Sequence, residues 1–181
     1  RVGLFAAVHL EEFERGIVLP HEATRPGPKL DRLRLMQASD ANISPLLALY
    51  RDPGTLTSFL AEQMVSETPD IITKDYLTKC RVWILRDPDV LQTIQDCLAS
   101  TPLYLADGHH RYETALNYNK ENGNGVDDSA YVMMFLTNLD AHSLSIYPIH
   151  RLVKSPIPYA FALITGQIIA LLLFFEIILE L

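Results

Sequence analysis

Four short apolar runs limit what this chain can become: VGLFAAVH at 2–9, SPLLALY at 44–50, LYLA at 103–106 and YVMMFLT at 131–137. Each has strand length, and the stretches between them are long enough for helices. Helical patterns fall at 30–38, 53–65, 87–100 and 108–119, and further strands are expected at 82–86 and 143–149. Strands interleaved with helices predict the α/β (α+β) class, a mixed sheet with flanking helices. The segment 10–16 reads as a short acidic helical turn ending at Gly16. LPHEATRPGP at 19–28, with its three prolines, and NKENGNGVDDS at 119–129 read as loops.

With 181 residues the chain can bury one core, and 49% hydrophobic against 20% charged residues describes a globular protein. Its net charge of −7 lacks the basic footprint of a nucleic-acid binder. Cys80 and Cys97 fall in different elements and form no CxxC pair, so the expected setting is a reducing cytoplasm. The opening RVGLFAAVHL is no signal peptide and starts inside a strand pattern, as a piece of a longer chain would. At 157–175 no charge occurs over nearly a bilayer-spanning length of about 20 residues. Pro158, the break at Thr165-Gly166-Gln167 and the acidic Glu176 and Glu180 favour a buried apolar helix over a membrane anchor. The expected division is a domain at 1–154 and an apolar helix at 155–181.

One junction concentrates ionisable groups. In LADGHHRYETA at 105–115 an apolar strand runs into Asp107, Gly108, His109, His110, Arg111 and Glu113. A strand end followed by glycine and a helix start is where α/β proteins place chemistry. Asp107 as a helix cap explains the acid and the glycine, but not the two histidines and the arginine. A helix N-terminus attracts anions, and Arg111 adds a planar fork suited to phosphate oxygens. His109 or His110 shares a face with Glu113, which could orient one of them. A stiff proline-rich loop brings His21, Glu22, Arg25, Lys29, Asp31 and Arg32, and a late strand end delivers His150 and Arg151. Adjacent histidines diverge by about 100° on a helix, so a zinc site of HExxH type is not expected, and magnesium carried by phosphate would use Asp107. Neither a Rossmann nor a Walker glycine motif occurs.

These blocks also carry a resemblance. ERGIVLPHEATRPGPKLDRLRLMQA at 14–38, ANISPLLALYRDP at 41–53, ADGHHRYETAL at 106–116 and FLTNLDAHSLSIYPIHRLV at 135–153 resemble a prokaryotic family, the domain of unknown function one-thousand-and-fifteen. That family is similar, through its D-G-H-x-R stretch, to the ParB/sulfiredoxin-like superfamily, in which a G-x-x-R turn binds nucleotide phosphate and some members are free L-serine kinases. The resemblance implies a ParB/sulfiredoxin-like core around ADGHHR and a nucleotide-dependent phosphotransferase acting on a small hydroxyl metabolite such as L-serine. It implies ATP or ADP and Mg2+ as cofactors. Gly108, His109 and Arg111 would hold the phosphates, with His21, Lys29 and Arg151 in support. Asp107, Glu22 and His110 are the catalytic candidates, Asp107 as metal ligand or base and Glu22 as base where Asp107 holds the metal. The alternatives are a nucleotide-binding regulatory module without turnover and a metal-dependent hydrolase. The expected partners are a nucleotide and a small-molecule substrate, with no nucleic acid or membrane; a homodimer is compatible with this reading.

Overall fold

A computed structural model describes residues 2–24, 26–74, 78–123 and 127–140, all within a compact unit spanning Arg1–Ser143. Seven strands and four α-helices follow in the order β1 (Leu4–His9), β2 (Val18–Leu19), α1 (Pro26–Ser39), β3 (Leu46–Tyr50), α2 (Thr55–Ser66), β4 (Ile71–Lys74), β5 (Lys79–Val82), α3 (Pro88–Leu98), β6 (Leu103–Asp107), α4 (His109–Asn122) and β7 (Tyr131–Asn138). Five strands form a mixed sheet in the order β1-β7-β3-β6-β2, so the α/β class holds. β7 is antiparallel to β1 and parallel to β3, while β6 is antiparallel to β3 and parallel to β2.

Alternation sets the core. Val132, Met134 and Leu136 of β7 lie in register with Val8, Ala6 and Leu4 of β1, and Leu46, Ala48 and Tyr50 of β3 continue that face. It clusters with Leu56 and Leu60 of α2, Ile94 of α3, and Tyr112, Ala115 and Leu116 of α4. Burying each of Leu46, Leu105 and Leu136 contributes about 1.5–3 kcal/mol. On the other face Phe5, Tyr104 and Tyr131 stay exposed.

Three expectations are corrected. The strand expected at 82–86 is instead β5, which ends at Val82 and pairs with β4 in a separate hairpin whose strand residues are all exposed. Trp83 Nε1 donates to the Glu67 carbonyl at 3.0 Å and the Ile84 amide to Asp70 at 2.7 Å, anchoring the base of the hairpin. The helix expected at 30–38 begins earlier, at Pro26, inside the expected loop. Prolines are tolerated there because the first helical N–H groups have no intrahelical acceptor. Val18 and Leu19 form a short edge strand that the loop reading at 19–28 passed over. The acidic turn ends as expected, with Gly16 left-handed at φ 69° after Phe13–Arg15. No helix among the described residues is long and apolar enough to cross a membrane. The segment 155–181, the strand expected at 143–149 and Arg151 lie outside the described residues.

Candidate functional site

β6 leaves the sheet at Asp107, and Gly108 turns the chain into α4 with φ 96°. A side chain is strained in that conformation. A Cβ there would also lie 2.9 Å from Leu46 Cγ and 3.1 Å from Arg111 Nη2. The first helical bond runs from the Tyr112 amide to the Gly108 carbonyl at 2.9 Å. The N–H groups of His109, His110 and Arg111 therefore lie ahead of the helical ladder, at the positive end of the dipole.

Asp107 does not cap this helix. Gly108 is the N-cap residue and no side chain caps α4. Asp107 still belongs to the strand, and its Oδ2 receives Arg111 Nη2 at 2.6 Å across one helical turn. Arg111 Nη1 donates to the carbonyls of Pro45 at 2.7 Å and Ser44 at 3.3 Å. The fork is thus held from two directions. Arg111 lines a cavity of about 60 Å³ that also has Arg32, Asn42, Ser44 and Thr114 in its wall. One water needs about 10–15 Å³, so the space admits a phosphate-sized group. Leu35, Met36, Leu46 and Val132 give it an apolar side.

On the opposite side of the turn His109 is buried, at 2% exposure. Its Nε2 accepts the His21 amide at 3.2 Å, and its Nδ1 lies 3.2 Å from Glu22 Oε1. The two histidine rings meet edge to face at 4.3 Å. His21 Nδ1 donates to the Leu105 carbonyl at 2.8 Å, which fixes its tautomer. Burial pushes the His109 pKa below its ordinary value and the nearby His21 adds to this, against the opposing pull of Glu22 and Asp107. Burial and His21 both favour the neutral ring.

Glu22, not Glu113, is the carboxylate beside His109. Glu113 is taken by Lys29 Nζ at 2.6 Å and Thr24 Oγ1 at 2.7 Å. Burial raises the Glu113 pKa, but those hydrogen bonds and the charges of Lys29 and His110 outweigh it, holding the carboxyl below its usual range. Lys29 therefore ties the start of α1 to α4, and half-buried His110 sits on the same first turn. Among the described residues, the group of ligand-type side chains close enough for one metal ion is His21, Glu22 and His109. Asp107 is not part of it. Its Oδ2 is paired with Arg111 and its side chain is half exposed.

Sequence reasoning named Arg32 within the proline-rich constellation but did not bring it to Arg111, with which it lines the cavity. The carbonyls of Ser44 and Pro45 left no signal, because any residue supplies one. The Asp107–Arg111 pair could have been read from its i, i+4 spacing.

Residues 1–163 match the family model described as Protein of unknown function (DUF1015). The chain belongs to this family. The DUF1015 match runs past the expected domain end at residue 154 and takes in every element from β1 to β7. Both sides of the α4 turn and Arg151 lie inside the DUF1015 span. No curated protein and no solved structure matches the chain.

Proposed function

We propose that this DUF1015 chain is a nucleotide-dependent phosphotransferase that acts on a small hydroxyl metabolite such as free L-serine. The observation that carries the reading is Arg111: its fork is oriented by Asp107, Ser44 and Pro45, and it faces the same small cavity as Arg32 beside the first turn of α4. The likeness of Gly108-His109-His110-Arg111 to a phosphate-binding G-x-x-R turn supports it.

Phosphoryl transfer asks mainly for positioning and for neutralisation of charge on the transferred group. The N–H groups at the α4 N-terminus, Arg111 and Arg32 supply positive potential around one phosphate position. The P–O bond to the nucleotide breaks, a bond forms to the acceptor oxygen, and the hydroxyl proton passes to Asp107, the carboxylate next to the fork. Magnesium on a nucleotide would add charge neutralisation, and no step above depends on a protein ligand for it.

The test is thermal-shift titration with ATP and with ADP, each with magnesium and with or without L-serine, followed by detection of phosphoserine. A nucleotide shift enlarged by serine, with phosphoserine formed, is the expected result. A shift indifferent to serine and without product makes the chain a nucleotide-binding regulatory module. No shift overturns the phosphate assignment.

A further inference from the structure

We propose that His21, Glu22 and His109 form a binding site for a single divalent transition-metal ion, on the side of the α4 turn away from Arg111. Candidate ligand atoms of all three side chains lie within 4.8 Å of one another. Metal–ligand bonds of about 2.0–2.2 Å put ligand atoms about 3–3.5 Å apart, and the exposed Glu22 side chain can close the difference.

The hydrogen bonds prepare the ligands. Metal-bound histidines donate their other ring N–H to a carbonyl or a carboxylate, which fixes the tautomer and raises ligand basicity. His21 does this through Nδ1 and the Leu105 carbonyl, which leaves Nε2 as its unprotonated nitrogen. His109 presents Nδ1 to Glu22 Oε1 at 3.2 Å, and an ion shared by the two takes the place of the Nδ1 proton. That proton passes to Nε2, and the long 3.2 Å contact from the His21 amide opens. Glu22 brings the negative charge. Two imidazoles and one carboxylate leave coordination positions open, as catalytic rather than structural zinc sites do. Such a set selects zinc, cobalt, nickel or manganese over magnesium.

Sequence distance hid the site. His21 and Glu22 sit at the tip of the segment between β2 and α1, and β6 brings them against α4 through the Val18–Leu103 and Leu19–Tyr104 pairing. The proposal stands apart from phosphoryl transfer, so nucleotide is left out of its test.

The whole chain, stripped with chelator, is titrated with Co2+ and with Zn2+, the first read by visible absorption and the second by calorimetry. One ion per chain is expected, with cobalt bands of nitrogen and oxygen ligation and a large excess of Mg2+ failing to displace it. His21→Ala and Glu22→Gln should each weaken binding by about tenfold or more while far-UV dichroism stays unchanged, since both side chains are exposed. His9→Ala is the control and should bind as the parent does. Absence of saturable one-to-one binding, unchanged affinity in both site variants, or equal loss in the control overturns the proposal.

Discussion

Tyr112 and Glu11 exchange two hydrogen bonds: the tyrosine hydroxyl donates to the Glu11 carbonyl at 2.7 Å and accepts the Glu11 amide at 2.9 Å. One side chain on α4 thereby satisfies both backbone groups of a residue in the connection after β1. Tyr112 is fully buried and stacks on Phe13 at 5.1 Å, and burial pushes its hydroxyl pKa up to about 12. Tyr112→Phe keeps the ring and leaves two backbone groups without this partner. The expected loss is about 1–3 kcal/mol, read as a lower denaturation midpoint at unchanged slope. A midpoint equal to the parent's would show that water replaces the hydroxyl at no cost.

Gly108 is the next position where a single atom decides the outcome. Gly108→Ala adds a Cβ at positive φ and drives it against Leu46 and the Arg111 guanidinium. Strain in the left-handed region costs about 1–3 kcal/mol, and the displaced fork should weaken nucleotide binding as well. Melting temperature and nucleotide affinity are therefore expected to fall together. A stable variant with parental affinity would remove the turn from the site.

The sheet and the helices were legible for a physical reason. β1, β3, β6 and β7 carry apolar residues that bury on the sheet, and burial is what sequence pattern reports. The β4–β5 hairpin was not legible as a hairpin, since its exposed residues show no inward-outward alternation. At the site, the α4 turn was legible because its ionisable groups are consecutive. The grouping of His21 and Glu22 with His109 depends on strand pairing over more than eighty residues, which spacing does not encode.

Asp52 links stability to acid pH. It is buried, at 6% exposure, and its carboxylate accepts the Thr57 amide at 2.9 Å, the Thr57 hydroxyl at 2.9 Å and the Leu56 amide at 3.3 Å at the start of α2. Burial alone raises the pKa, but these bonds and one from the Gly54 backbone hold it below the usual carboxylate value. A depressed folded pKa contributes stability that is present above the unfolded value, about 3.9, and is lost as pH falls through the folded value. Asp52→Asn should lower stability at neutral pH and flatten its fall below about pH 4. Parallel stability curves for parent and variant would assign the acid limb to other carboxylates.

Arg111 separates structure from binding most cleanly through two variants. The fork ties Ser44 and Pro45, just before β3, to Asp107 at the end of β6, so Arg111→Ala should cost about 1–3 kcal/mol besides any ligand effect. Arg111→Lys keeps a positive charge in the cavity but gives up the planar fork that grips two carbonyls and a carboxylate at once. If the residue acts on phosphate, nucleotide affinity should fall by about tenfold or more in Arg111→Lys and further in Arg111→Ala, at temperatures where both remain folded. A loss of melting temperature with parental nucleotide affinity in both variants would leave Arg111 a purely architectural residue, and the phosphotransferase reading would fall with it.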